Sequence, residues 1–218
     1  MNEALVNING GSVPTLEILM MLTVISLLPS LIIMMTSFTR TIIILSFTRN
    51  ALGVQQSPPN MVLVGIALFL TLFIMNPVLT RIQTEAYEPY RREEITQEEA
   101  LRRASVPMKE FMLKQTEVSS LNMYLELSDT ERPQELTELP MTVVIPAFMT
   151  SELKRAFTAG FLLMLPFLLI DMIVSSTLMS MGMIMLAPAT IALPFKILLF
   201  VTVDGWELLF SSIVRSFR

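Results

Sequence analysis

The sequence predicts an all-α membrane protein in which two long hydrophobic helical hairpins flank a small helical extramembrane domain. Of the 218 residues, 53% are hydrophobic and 16% are charged. A bilayer core of roughly 30 Å requires about 20 mostly apolar residues per helix. The apolar residues form four runs long enough to meet that requirement, at 16–35, 61–79, 156–186 and 191–214.

The composition also removes several classes of function. The chain has no Cys and no His, which excludes disulfides, thiol catalysis, the common zinc sites and Ser-His nucleophiles. The net charge is −4 and no block of basic residues occurs, so nothing indicates binding to nucleic acid. We expect no metal, no cofactor and no catalytic residue.

Residues 1–79 are predicted to form the first hairpin. A short apolar run at 41–47, too brief to cross a bilayer, separates its two long runs and is flanked by Arg40 and Arg49. By the positive-inside rule, Arg40 and Arg49 mark the 36–60 connection as cytoplasmic and are also candidates for contacts with partner subunits. The N-terminus and the chain from residue 80 onward then lie on the outer side.

Residues 80–155 are predicted to form a solvated, periplasmic-side helical domain. This stretch holds ten of the fifteen basic residues and fourteen of the nineteen acidic ones. A capping box from Thr96 to Glu99 predicts the start of one helix, and Ser105 and Pro107 predict the start of a second. Residues 129–140 are predicted to form a loop.

Residues 156–218 are predicted to form the second hairpin, and two charges stand out within it. No charged residue separates Asp171 from Lys196. Ionisable groups at membrane depth are costly and are normally paired or hydrated. We therefore predict a buried ion pair between Asp171 and Lys196, within one subunit or between neighbours; a proton-coupling relay is the alternative.

Methionine is concentrated at the turn of this second hairpin. Four of the eighteen methionines lie within seven positions, at Met179, Met181, Met183 and Met185, around Gly182. Such a cluster is often ordinary apolar packing. Methionine is also flexible and polarizable, and a ring of such segments would form a deformable apolar constriction.

Several motifs resemble those of one family. The N-terminal block carries TSFTR at 36–40, LSFTRNALG at 45–53 and QQSPPN at 55–60. IPAF at 145–148, SEL at 151–153, ATIALPFK at 189–196 and VDGW at 203–206 follow in order. Together they resemble the FliP family, whose members are membrane subunits of the flagellar type III export gate.

The resemblance implies an assembly and a place in the cell. Five copies would form a helical ring with four FliQ and one FliR, and would act with FlhA and FlhB. The ring would form the entrance of the secretion channel through the bacterial inner membrane, in the flagellar basal body and largely on the periplasmic side. Unfolded flagellar subunits would pass through it. The resemblance also implies a channel gasket made of Met183, Ile184 and Met185, with Met179 and Met181 supporting it.

Three other functions compete with this interpretation. A virulence-type (injectisome) export-gate subunit would share the architecture. An intramembrane aspartyl protease would use Asp171 and Asp204, but the Gly-x-Gly-Asp context typical of such enzymes is absent. A small-molecule transporter is disfavoured by the small number of spans and the lack of an inverted repeat.

Overall fold

The first ordered elements are two short strands. The computed structural model describes residues 5–8, 11–54, 56–183 and 185–217, with side chains from Ile18 onward except those of Val24 and Leu28. Strands β1 (Leu5–Ile8) and β2 (Gly11–Pro14) pair antiparallel. The all-α class is confirmed by the rest of the described chain, and this hairpin is a small addition to it that four-residue strands are too short to announce by a period-two pattern.

Helices make up most of the remaining described chain. A five-residue π-helical turn, Gln83–Tyr87, continues the helices on either side of it, so that Asn60–Arg91 is one helical column. A 3₁₀ turn at Leu136–Glu138 interrupts the predicted loop. The helices are α1 (Thr15–Met34), α2 (Phe38–Leu52), α3 (Asn60–Ile82), α4 (Glu88–Arg91), α5 (Gln97–Gln115), α6 (Val118–Leu127), α7 (Met141–Ser180), α8 (Pro188–Thr202) and α9 (Gly205–Arg215).

Helix α2 is more central than its sequence indicates. The run predicted to be too brief to span is part of a fifteen-residue helix, bent by 65° from α1. Helix α2 packs mainly against α7 and then against α3, whereas α1 contacts chiefly α2 and β2. The hydropathy pattern underestimates how deeply this helix is buried. Its polar residues Arg40, Thr41 and Thr48 lie in the protein interior and are not exposed to water.

Helix α7 connects the two parts of the chain that the sequence separates. It is a single forty-residue helix, and the predicted boundary at 155/156 falls inside it. Its N-terminal half packs with α5 and α6 around one cluster: Met112, Leu121, Leu125, Leu139, Val143, Val144, Ala147 and Phe148. Further along, it joins α2, α3 and α9 around another: Ile44, Leu45, Leu63, Ala67, Ala156, Leu209, Ile213 and Phe217.

Within the 80–155 stretch, one predicted helix start is confirmed and one is wrong. Thr96 caps α5, and its Oγ1 accepts a hydrogen bond from the Glu99 backbone N at 3.3 Å. Helix α5 then continues through Pro107, and the next helix begins at Val118. Phe111 of α5 packs against both clusters, with ring centroids 6.0 Å from Phe148 and 6.2 Å from Phe217.

Two helices are long and apolar enough to cross a membrane. They are Asn60–Arg91 and Met141–Ser180, whose most apolar stretches have mean hydropathies of 2.4 and 2.2. Two bent pairs also qualify if each counts as one span: Ile18–Met34 with Phe38–Leu52, and Pro188–Thr202 with Gly205–Arg215 at 63°. The described residues therefore contain two to four candidate spans.

Candidate functional site

The methionine-rich turn lies at the tip of the α7–α8 hairpin. Helix α7 ends in a Schellman motif, in which the Gly182 N donates to Met179 O at 3.1 Å and the Met183 N donates to Leu178 O at 3.0 Å. Gly182 has φ = +73°, a conformation that favours glycine. Helix α8 begins at Pro188, whose fixed φ suits the first helical turn. The sequence thus builds a non-helical link between two apolar helices.

The methionine side chains of this turn are open to the surroundings of the single chain. Met179 and Met181 are about two-thirds exposed, at 67% and 66%, Met183 is 43% exposed, and Met185 is fully exposed. Ile184, the remaining residue of the predicted gasket, lies outside the described residues. This exposure sets the turn apart from a packed methionine cluster, since the chain itself provides little cover for it.

Asp171 and Lys196 meet between α7 and α8. Lys196 Nζ donates to Asp171 Oδ2 at 2.6 Å, and the side chains of Lys196 and Asp171 are 8% and 36% exposed. Asp171 Oδ1 is buried and has no hydrogen-bond partner among the described residues. Gly53, which caps α2 at φ = +77°, adjoins the pair: a Cβ there would lie 3.9 Å from Lys196 Nζ. The pair therefore connects α7 to α8 beside the C-terminal end of α2.

A second ion pair, which the sequence did not reveal, lies deeper in the protein. Arg40 on α2 is 2% exposed and Glu152 on α7 is 0% exposed. Arg40 Nε donates to Glu152 Oε2 at 2.9 Å, and Nη2 contacts Oε1 of the same carboxylate. This two-point contact fixes the geometry of a planar guanidinium against a carboxylate.

The remaining donors of Arg40 bind the C-terminal turn and α5. Nη1 donates to both the carbonyl oxygen and Oγ of Ser216 at 3.1 Å, and Nη2 donates to Gln115 Oε1 at 3.1 Å. The guanidinium carbon lies 3.8 Å from the centroid of the Phe217 ring. Since all five guanidinium donors are satisfied, Arg40 links α2, α5, α7 and the segment after α9.

The two arginines predicted to mark the cytoplasmic side have different surroundings. Arg40 lies in the interior and is not at a solvent-facing loop end, because Glu152 and its other partners compensate its charge. Arg49 contacts Asn60 Oδ1 and donates to Pro58 O at 3.4 Å, so it holds the connection between α2 and α3. Burial of Arg40 removes one of the two charges on which the topology argument depends.

The protease alternative gains no geometric support. Asp171 is paired with Lys196, whereas Asp204 is exposed at the turn between α8 and α9, with φ = +51°. Lys196 lies about 9 Å along α8 from Thr202, and Asp204 follows in the turn two residues later. Within the part of the chain that the structure describes, no group of three or more Asp or Glu residues is placed to hold a metal ion.

The comparison with known families gives a clear match. A sequence profile of the FliP family matches residues 21–213. The chain belongs to the FliP family. The matched range contains Arg40, Glu152, Asp171, Lys196 and the whole methionine-rich turn.

Three relatives extend the match over at least 96% of this chain and at least 82% of their own length. A flagellar biosynthetic protein FliP from Pectobacterium carotovorum is 51% identical over 211 residues, covering 96% of this chain and 82% of the relative. The Bacillus subtilis FliP is 49% identical over 222 residues and is covered completely, as is this chain. The Aquifex aeolicus FliP is 49% identical over 211 residues, with coverage of 96% and 88%.

Sequence reasoning singled out Arg40, Asp171 and Lys196 but missed Glu152, the buried partner of Arg40. Glu152 stands in the SEL motif within a polar stretch of α7, and no local pattern distinguishes it from a solvated glutamate. The only sequence feature that could have indicated burial of Glu152 is the apolar character of the helical turns on either side of that stretch. Gln115 and Ser216 carried no signal at all, since neutral polar residues at helix ends are common.

Proposed function

We propose that this FliP-family chain is a subunit of the flagellar type III protein export gate, where it helps to form the entrance of the secretion channel for unfolded flagellar subunits. Family membership over residues 21–213 supports the flagellar role. The observation that carries the gate role is the exposed methionine turn at the tip of the α7–α8 hairpin. Three relatives with flagellar names favour the flagellar machine over an injectisome.

The exposed apolar surface of the hairpin supports an assembled state. Leu169, Met172 and Ile173 on α7 are 60–67% exposed, and Leu198 and Val201 on α8 are 61% and 65% exposed. Such large apolar patches require lipid or protein cover. In the proposed assembly, five copies form a helical ring with four FliQ and one FliR, and FlhA and FlhB act beside it. The ring lies in the bacterial inner membrane and largely on its periplasmic side.

The proposed gasket consists of Met183, Ile184 and Met185 from each copy, supported by Met179 and Met181. A ring of these side chains presents a narrow apolar passage, which excludes water and ions by dewetting. Methionine side chains are unbranched and can repack around a moving polypeptide. The backbone at Gly182 is not helical, and such backbone is tolerated at membrane depth only beside protein or a cavity.

We assign Asp171 and Lys196 a structural role and assign the chain no catalysis. Lys196 Nζ lies 2.6 Å from Asp171 Oδ2, so the lysine compensates the charge of the carboxylate. A relay would need further titratable groups in line, and no His occurs in the sequence. The exported subunits are cargo in this proposal and are not chemically altered.

The native mass of the detergent-extracted complex tests the proposal. The full chain is expressed alone and then with FliQ and FliR, and each preparation is weighed by native mass spectrometry. A pentamer that gains four small subunits and one large one supports the export-gate role. A stable monomer under both conditions contradicts it, and cleavage and transport assays would then decide between the two rival functions.

A further inference from the structure

A groove on the surface of the protein joins a charged end to an apolar end. It lies between α2, α7 and α9 and has a volume of about 570 Å³. Glu117, Lys154 and Arg155 line its charged end, and Leu162, Leu163 and Leu209 line its apolar end. One wall of the groove is α7, along which Arg155 and Leu163 are eight residues, or about 12 Å, apart.

The charged end has an excess of positive charge. Arg40, Lys154 and Arg155 contribute three cations, against the two carboxylates of Glu117 and Glu152. Lys154 Nζ donates to Glu117 Oε2 at 2.6 Å, and this contact holds the pKa of Glu117 below its ordinary value. Both carboxylates are therefore already engaged by Lys154 and Arg40.

Arg155 is the cation left over in this set. Its Nη1 donates to the neutral Gln115 Oε1 at 3.1 Å, and it forms no ion pair with any carboxylate in the described residues. A guanidinium has five donors and suits phosphate oxygens in particular. Arg155 thus has both the charge and the spare donors to bind an anion at the mouth of the groove.

The apolar end is shaped for a chain and not for a small ion. Ala159 faces the groove between two turns of α7, and Leu162, Leu163 and Leu209 provide branched walls beyond it. A free phosphate would gain nothing from these walls. An acyl chain would bury apolar surface against them while its headgroup stays at Arg155.

We propose that this groove binds one anionic phospholipid, with its phosphate at Arg155 and Lys154 and an acyl chain between α7 and α9. Basic pockets between membrane helices are a recurrent way of recognising anionic headgroups. The site goes beyond the proposed export function and does not depend on it. The lipid lines the junction of α7 with α9 and covers a surface that the single chain leaves open.

The test is native mass spectrometry of the delipidated full chain, alone and assembled with FliQ and FliR. It is titrated with phosphatidylglycerol, with phosphatidylcholine of the same acyl chains, and with inorganic phosphate. Phosphatidylglycerol is expected to bind more tightly than phosphatidylcholine by about fivefold for each basic residue engaged. Inorganic phosphate is expected not to displace it at equal concentration.

Four variants separate the charge from the apolar wall. Arg155→Gln is expected to weaken phosphatidylglycerol binding by about fivefold, whereas Arg155→Lys retains most of it. Ala159→Leu fills the groove without changing charge and is expected to weaken binding of both lipids. Arg132→Gln removes one exposed cation from the 129–140 loop and is the matched control, with no expected effect.

Several results would overturn the proposal. Equal binding of the two lipids, or unchanged binding by Arg155→Gln, would remove the headgroup site. Displacement by inorganic phosphate would indicate a free-anion site, and loss of the lipid on assembly would indicate that a second copy occupies the groove. If Arg155→Gln does not fold, as judged by its melting temperature, Arg155→Lys and Ala159→Leu decide the question.

Discussion

Arg40 on α2 and Glu152 on α7 form an ion pair whose two side chains are both buried, at 3% and 0% exposure. The two residues are 112 positions apart in the chain. Through Ser216 and Phe217, the same guanidinium also holds the segment that follows α9. Arg40 and Glu152 therefore hold α2, α5, α7 and the segment after α9 in fixed relative positions.

Removal of one member of this buried pair should be strongly destabilising. We expect Glu152→Ala to lower the free energy of unfolding by about 3–5 kcal/mol, because it leaves the Arg40 charge buried without its partner. The double variant Arg40→Met with Glu152→Leu should lose less than the sum of the single variants. Melting temperatures in detergent measure both effects, and Arg132→Ala serves as an exposed control.

If Glu152→Ala has the same melting temperature as the wild-type protein, the ion pair does not stabilise the fold.

The contact between Asp171 and Lys196 should be restored by exchanging the two charges. Asp171→Ala or Lys196→Ala leaves one charge alone, and we expect either variant to lower the yield of assembled complex more than Asp171→Lys combined with Lys196→Asp. Because Asp171 is 36% exposed, solvent weakens the effect relative to the deeper pair. Native gels of the extracted complex measure the yield. Equal damage from the single and the exchanged variants would argue against direct pairing.

Gly160 on α7 allows Phe47 of α2 to approach the helix backbone. A Cβ at residue 160 would lie 2.5 Å from Cγ and 2.7 Å from Cδ2 of Phe47. Gly→Ala inside a helix ordinarily stabilises by about 0.5–1 kcal/mol. At this position we expect the sign to reverse, with a loss of about 1–3 kcal/mol from overpacking, measured by thermal unfolding in detergent.

Two further variants make that prediction specific. Gly65→Ala on α3 is the matched control, since a Cβ there would meet nothing within 4 Å, and it should be neutral or stabilising. Adding Phe47→Leu to Gly160→Ala should recover part of the loss. Equal effects of Gly65→Ala and Gly160→Ala would refute the close approach.

The first turn of α5 should respond to acid through Glu99. Hydrogen bonds from Arg102 and then Arg103 lower the pKa of Glu99 from 4.5 to about 2. A carboxyl whose pKa is lower in the folded state stabilises that state above its unfolded value. That contribution is lost as the pH falls from 4.5 towards about 2. A carbon-13 titration of the Glu99 carboxyl measures the value directly.

Glu99→Gln should remove the loss of α5 stability at low pH. Glu98→Gln is the control and should leave that pH dependence unchanged. A Glu99 midpoint at its ordinary value would show that the two arginines do not hold the carboxylate in solution.

Local pattern was sufficient for the helices that are apolar along their whole length. The run at 61–79 became α3, and the break around Gly182 became the link between α7 and α8, because chain length and backbone preference decide these features. The charges at Asp171 and Lys196 stood out because no other charge lies between them.

Features that depend on residues far apart in the chain could not be predicted from the sequence. The sequence predicts that Arg40 is a charge at the end of a loop. In the structure it is buried, because Glu152 and Gln115 accept its hydrogen bonds. The sequence predicts only a short apolar segment in α2 because Arg40 and Arg49 flank the run, whereas Arg40 is buried against other helices. In both cases tertiary packing, and not local propensity, determines the environment.

The most direct test of the central claim is the ion conductance of the assembled complex in a planar bilayer. We expect the combined variant Met183→Ala, Ile184→Ala and Met185→Ala to assemble normally and to leak ions, because smaller side chains no longer close the apolar passage. The control replaces two methionines and one isoleucine that are exposed outside the α7–α8 hairpin, Met21, Met61 and Ile25, by Ala. That control should stay closed. If the triple variant at Met183, Ile184 and Met185 assembles normally and its conductance is unchanged, the proposed gasket is contradicted.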